Sequence, residues 1–406
     1  MKKTLGALAT LGVAILVLAG CTAGPETAEI RVWLVGTGTP QEARDYLVET
    51  FADENPGSSI VIEEQPADGL VEALTIALSS DDGPDVVEFG TAQAPAFTST
   101  GALRDLSKDV DALGGDDLLA GQVEAGTFDG TFFAPPLFAQ ARVEFGNPAL
   151  VLAAPATLDE YITTAKALTA GNPGASGVYF AGRDWNSAVP FIWANGGEIA
   201  VQQDGAWDAQ LSSDASVAGL LQVQDLMMNA SLAPRDGDNA EPWIAYCDGQ
   251  AIQFTAPSVA LEPASACASA TPPPAPFVYA LPGREGGAAP VLADGSNVGV
   301  SAKSEHPRLA TNALKIMLSD EFQTMYGENG MVPAKKSLAA TLGDTPAAAA
   351  LVAAASSARL TPASPKWAEV EASGVLADFF GQIAIGGDVA ALATAVDTQI
   401  EAILNG

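Results

Sequence analysis

Histidine and cysteine are the scarce residues of this 406-residue chain, with one of the first and three of the second. The lone His306 precedes a proline and has no motif around it. Ser-His-Asp and Cys-His catalysis are therefore excluded except through that one residue. The same shortage argues against a metal site built from imidazole and thiolate. Basic residues are also few, 18 Lys and Arg against 49 Asp and Glu, for a formal net charge of −31. Such a surface disfavours nucleic acid, whose phosphates need Lys and Arg to neutralise them. It suits the solubility of an extracellular protein. There is no internal repeat and no glycine-rich phosphate loop of the Walker type, so neither nucleotide nor any other cofactor is expected.

What is present begins at the first residues. Lys2 and Lys3 form a short positive region, and Leu5 to Val17 an apolar one too short for a spanning helix. Leu18-Ala19-Gly20-Cys21 then reads as a lipobox, with small residues at the cut and a thiol able to accept diacylglycerol. The alternative is an ordinary export signal followed by an incidental cysteine. The lipobox reading makes residues 1–20 a cleaved signal peptide, 21–28 a polar tether, and Cys21 a lipid anchor on the outer face of the cell membrane. Cys247 and Cys267 remain, and in an exported chain an isolated pair is expected to form one disulfide.

Hydrophobic residues make up 48% of the chain, enough for a large core, and the length argues for two domains. Glu29 to Val35 alternates as a strand and ends in the turn-rich Gly36–Pro40. Gln41 to Glu54 places Ala43, Leu47 and Phe51 on one helical face. A strand over Ser59–Glu63, a helix over Leu70–Ser79 and a strand over Pro84–Phe89 follow. This alternation marks an α/β fold with parallel pairing. In such folds ligands lie at the carboxyl ends of strands, which directs attention to the loops Gly36–Pro40, Gln65–Gly69 and Gly90–Pro95. Farther on, Thr157 and Glu160 form a capping box for a helix to Leu168. Ser213–Met228 is a long amphipathic helix, Pro263–Pro276 a loop, and the tail returns to helices.

Several segments resemble the family 1 extracellular solute-binding proteins, the sugar-binding subunits of bacterial ABC importers. They are Asn55-Pro56-Gly57, Leu74–Glu88, Gly101–Leu106, Pro155–Glu160, Asn195–Ile199, Val298–Ser301, Ser319–Gln323 and Gly330–Ala334. Each is weak alone, but they run in family order along almost the whole chain. Residues 33–40, 87–97, 183–200 and 361–371 look most like actinobacterial oligosaccharide receptors, including those for chitobiose-type sugars. The resemblance implies a periplasmic-binding-protein-like α/β fold of two lobes joined by crossover strands, with a ligand cleft between them. It places lobe 1 at 29–137 and 291–330, and lobe 2 at 138–290 and 331–406. Crossovers are then expected near 134–142, 288–293 and 326–332. Val143 to Pro148 is shorter than the family's usual "YN" segment, so no aromatic contact is carried over there.

A pyranose offers C–H groups to an aromatic face and hydroxyls to planar polar side chains, so a sugar site combines Trp with Asp, Asn, Gln, Glu and Arg. Of six tryptophans, Trp33 reads as strand core and Trp207 as a hairpin residue, while Trp243 stays open. Trp185 lies among Arg183, Asp184 and Asn186 and is the leading stacking candidate. Trp193 sits beside Phe191 and Ile192, so packing and stacking compete there. Trp367 matches a late family position where an aromatic can close the cleft. Thr37, Gln65 and Gln93 occupy the three strand-end loops, each either contacting ligand or simply solvated. Arg142 either donates to a sugar or pairs with Glu144. Ser296 and Asn297 precede a block where the family presents hydroxyl donors.

These readings imply a monomeric receptor, not an enzyme, that captures a carbohydrate by lobe closure and docks on a membrane permease. A glycoside hydrolase would need two carboxyl groups facing across the scissile bond, and nothing singles out such a pair. A receptor for a peptide or polyamine would keep the fold and change the ligand.

Overall fold

The computed structural model describes residues 27–67, 69–238, 241–269 and 271–406. The expected signal peptide and Cys21 lie outside the described residues. Three strands, β1 (Glu29–Val35), β2 (Ser59–Gln65) and β3 (Val86–Gly90), are parallel, with Val35 opposite Gln65 and Val32 opposite Val86. Helices α1 (Gln41–Glu54) and α2 (Leu70–Ser79) connect them. Helix α1 buries Ala43, Leu47 and Phe51, one residue per turn, against the sheet. Asn55 closes it by donating its side-chain amide to Phe51 O at 3.0 Å, and Gly57 supplies the positive φ (+90°) of the turn into β2.

The chain then enters the same sheet through β4 (Pro136–Gln140) and leaves it at once for β5 (Arg142–Gly146), with Ala141 alone between them. Strand β5 is the centre of a second, antiparallel sheet. Its neighbours are β6 (Gln253–Pro257) and β7 (Phe277–Tyr279). Between β5 and β6 come α3 (Leu158–Gly171), α4 (Trp185–Ala194), a hairpin of Ala200–Gln203 with Ala206–Ala209, and α5 (Asp214–Asn229). Strand β8 (Asp294–Val300) returns to the first sheet between β3 and β4. Helices α6 (Pro307–Met317) and α7 (Asp320–Glu328) cover that sheet, and β9 (Val332–Pro333) adds its edge beside β4. The first sheet thus reads β9-β4-β8-β3-β1-β2. Helices α8 (Pro346–Ser356), α9 (Trp367–Ser373), α10 (Val375–Ala384) and α11 (Val389–Asn405) complete the second lobe.

The fold is therefore two α/β lobes, and it departs from expectation in one crossing. The third passage was expected at 326–332, yet α7 packs in the lobe 1 core through Phe322 and Tyr326, and β9 pairs with Phe138 and Ala139. Leu119 N also donates to Ala334 O at 3.0 Å. Residues 331–342 thus stay with lobe 1, and the chain leaves through the turn before Thr345, the cap of α8. The stretch fails to show this in sequence because Ala348, Ala350 and Ala354 bury small side chains without marking an amphipathic period. Strand β4 likewise lies wholly in lobe 1, so the first switch falls at Ala141 and not at 138.

At α3, Thr157 Oγ1 accepts from Glu160 N at 3.3 Å, while Glu160 accepts from Ala156 N at 2.8 Å, one residue earlier than the usual capping box. Cys247 and Cys267 are bonded, with 5.2 Å between their Cα atoms. Closing a loop of 20 residues contributes about 3 kcal/mol in the chain-entropy account. A Cys247→Ser/Cys267→Ser double variant should lose roughly that amount in urea unfolding.

Two carboxylates on the sheet strands are almost fully buried, one in each sheet. Glu88 in β3 accepts from Val35 N at 2.8 Å and from the Ser296 hydroxyl. Glu144 in β5 accepts from the Tyr161 hydroxyl at 2.9 Å and the Thr255 hydroxyl at 2.7 Å. Burial pushes both up to about 7, and these hydrogen bonds only partly oppose it. The native chain then holds protons that the unfolded chain has released, so each group's contribution to stability falls as pH rises from about 4.5 through 7. Relative to wild type, Glu88→Gln and Glu144→Gln should each show a flatter loss of stability across that window, measured by urea unfolding at several pH values.

Candidate ligand-binding site

Strand directions decide where a ligand can sit. Because β1, β2 and β3 are parallel, their carboxyl ends place Gly36–Thr37, Gln65 and Gly90–Gln93 along one edge of the lobe 1 sheet. Strand β8 runs antiparallel to both β3 and β4, setting Ser296 opposite Gly90 and Asp294 opposite Gln140. Gln140 and Asp294 therefore share that edge, and from them the chain departs for lobe 2 at Ala141 and Ala293. The edge carrying the loops thus faces the second lobe, as ligand-binding edges of α/β sheets do.

The loop after β1 is braced from below. Arg44 on α1 donates to Thr39 O at 3.0 Å and Gly36 O at 2.5 Å. The Thr39 and Tyr326 hydroxyls are 2.8 Å apart. Thr37 at the loop tip stays exposed, and Gln65 is half-buried beside it. Gln93 is half-buried, and its Oε1 accepts from Gly90 N at 3.2 Å. Arg142 is half-buried at the start of β5. It does not pair with Glu144, whose oxygens are taken by Tyr161 and Thr255.

Ser296 and Asn297 do not face the seam. Ser296 is 7% exposed and bonds Glu88. Asn297 is fully buried and saturated: its amide donates to Gln122 O and Ala134 O, both at 2.9 Å, and its oxygen accepts from Thr91 at 2.9 Å. Both hold the sheet edge, Ser296 through Glu88 and Asn297 through its three buried partners.

On lobe 2 the tryptophans separate into layers. Trp193 is 4% exposed in the core, with the Arg359 guanidinium 5.2 Å from its ring centre. Trp367 is 1% exposed and donates Nε1 to Glu371 at 2.8 Å, so it cannot itself present a face to a sugar. Both are corrections to the ligand-stacking expectation, because each ring is spent on packing. Trp185 remains half-buried at the start of α4, meeting Trp367 edge-on at 6.5 Å and 70°. The buried indole fixes the exposed one.

Lobe 2 also presents groups that sequence reasoning did not select. Asp184 caps α4 through Ser187 N at 3.2 Å, and its second oxygen and the Ser187 hydroxyl are buried with no partner among the described residues. Tyr179 is half-buried, and desolvation raises its pKa, with the Asp238 charge adding to the rise. Glu371 is open to water yet closely surrounded. Desolvation raises its pKa, the Trp367 N–H opposes this, and Asp294 of the crossing segment reinforces it. That coupling brings the second crossing and α9 to one place. The available signal was spacing: Trp367 and Glu371 are i and i+4 on a helix and so share a face.

In chemical terms the seam offers a supported aromatic face, several carboxylates, amides and hydroxyls, and the Arg142 guanidinium, which has no ion pair among the described residues. No group of metal-ligating side chains occurs among the described residues. Trp367→Ala should cost about 3–5 kcal/mol in chemical unfolding, as a large buried side chain does. Trp185→Ala should cost less, because that side chain is only partly buried.

The family model for Bacterial extracellular solute-binding protein matches residues 36–324. The chain is 30% identical over 358 residues to the diacetylchitobiose binding protein DasA of Streptomyces coelicolor, covering 84% of this chain and 81% of that one. Among solved structures it resembles the sugar-binding protein MalE of Xanthomonas citri (TM-score 0.83, 17% identity, 93% and 97% covered). It also resembles a cyclo/maltodextrin-binding protein complexed with maltotetraose (TM-score 0.80, 19% identity, 94% and 98% covered). At such identities the likeness of structures speaks for the fold.

Proposed function

Because the chain belongs to the bacterial extracellular solute-binding proteins, we propose that it captures a carbohydrate between its lobes and delivers it to an ABC importer. The observation that carries this reading is Trp185, partly exposed at the seam and met edge-on by the buried Trp367. An aromatic face ringed by planar polar groups suits a pyranose better than an extended peptide or a polyamine. The relative that binds diacetylchitobiose makes a short N-acetylamino sugar the first ligand to test. Trp185 stacks on one ring, while Asp184 and Glu371 from lobe 2 and Thr37, Gln65, Gln93 and Arg142 near the lobe 1 edge bind hydroxyl or acetamido groups. The crossing segments flex, and contacts from both lobes stabilise the closed form more than the open one.

The receptor acts as a monomer without chemistry on its ligand, and a diacylglycerol on Cys21 keeps it at the outer face of the membrane. A thermal-shift panel of mono- and oligosaccharides on the chain lacking residues 1–21 tests the central claim. A ligand at a hundred times its Kd adds about 2.7 kcal/mol, so one sugar class should raise Tm clearly, unhydrolysed, and Trp185→Ala should abolish the rise. A rise with peptides or polyamines alone would overturn the carbohydrate reading, and release of shortened sugars would overturn the binding-only reading.

A further inference from the structure

A second concave site lies at the far end of α4. Trp193 is eight residues from Trp185, about 12 Å along the helix. Beside it a pocket of about 350 Å³ is lined by Trp207, Gln202, Glu198, Arg359 and Glu124, within the range of small-molecule sites. Trp207 sits in the hairpin, whose backbone is tied to Asn405 of α11 by two hydrogen bonds of 2.8 Å. The residue packs on the lobe 2 core and also lines the pocket. Its indole N–H has no acceptor among the described residues.

The polar groups are arranged for planar recognition. Arg359 grips both oxygens of Glu198 through one terminal nitrogen, at 2.8 and 3.0 Å. Its other nitrogens are left without acceptors among the described residues, and the pair keeps over a third of its side-chain surface exposed. Gln202 and Glu124 are exposed and make no side-chain hydrogen bond among the described residues. Glu124 stands on the short helix Ala120–Ala125, which is anchored to lobe 1 by Gln122 donating to Phe138 O at 2.9 Å. The other lining groups belong to lobe 2, with Arg359 on the segment that follows α8. The pocket therefore straddles the lobes where they meet.

We propose that this pocket is a second saccharide-binding site, separate from the cleft, in which a sugar ring stacks on Trp207 and hydrogen-bonds Arg359, Glu198 and Gln202. An aromatic face, a guanidinium with unused donors and free amide and carboxylate groups around one small cavity are the chemistry that recognises a pyranose. Because Glu124 reaches it from the other lobe, occupancy is linked to the lobe angle. The site stands whatever solute the cleft takes.

The test follows the Trp207 indole N–H signal, assigned with Trp207→Phe, in 1H–15N spectra of the full mature chain. The probes are N-acetylglucosamine, diacetylchitobiose and maltose, titrated into wild type and into Trp185→Ala. The site predicts a saturable shift of that signal in both proteins. It also predicts about tenfold weaker binding of this class in Trp207→Ala, the effect of roughly one stacking contact, with cleft binding retained. No shift with any probe overturns the proposal. So does a shift that disappears with Trp185→Ala, since the signal would then report only on the cleft. Failure of the cleft reading alone would leave the Trp207 shift intact.

Discussion

The chain passes between its two sheets through segments that hydrogen-bond to one another, and the geometry of everything else follows from that. Asp294 pairs with Gln140 where the first and second crossings lie side by side. Arg359 then donates to Val291 O at 2.7 Å and accepts from Ala293 N at 2.8 Å, adding the segment after α8 to the same bundle. Packing is close enough to demand glycine. Gly295 has φ +120°, and a Cβ there would stand 2.3 Å from Phe138 O. Each lobe keeps a core of its own, one around Phe51, Leu314 and Phe322 and the other around Trp367, Phe380 and Ile400. A third cluster joins Leu119, Ala139 and Val332 of lobe 1 to Val143, Phe145 and Leu351 of lobe 2. Rotation about the crossings leaves the two lobe cores intact and is taken up at this third cluster.

Buried polar groups fix the rims of the cleft. Asn297, Gln122 and Thr91 tie β8 to the helix Ala120–Ala125 and to the turn after β3. Glu88 holds the end of β1 through Val35 N, directly before the loop that Arg44 braces. On the opposite rim Glu144 anchors α3 through Tyr161, and the charge of Asp184 reaches it. Networks of this kind cost desolvation but specify one arrangement, although Gln122 Oε1 has no partner among the described residues. The loops can then remain exposed without losing position.

Much of the fold was legible because lobe 1 announces itself by period. Strands β1 to β3 alternate with helices whose apolar residues recur every turn, and the order of family-like segments supplied the two-lobed architecture. Helix α8 was not legible, since alanine packs through small volume and leaves no stripe. The third crossing was misplaced with it. At the site, Trp185 was read from its polar neighbours, and that inference rested on side-chain chemistry. Trp367, Ser296 and Asn297 were read from position, and position does not say which way a side chain points, while at Trp193, where packing and stacking compete, packing prevails. Asn297 turns inward because three buried partners complete its hydrogen bonds. Trp367 turns inward because Glu371 caps its N–H and Trp185 covers its edge. Glu371 and Asp294, remote in sequence, meet only through the crossing.

The most direct measurement is the structure of the mature chain bound to a saccharide that raises its melting temperature, diacetylchitobiose first. The account predicts a sugar ring stacked on Trp185, with further contacts from the lobe 1 edge around Thr37, Gln65 and Gln93, and lobes rotated about the three crossing segments. A saccharide held by one lobe alone, or a seam that stays empty while the sugar binds elsewhere, would contradict it.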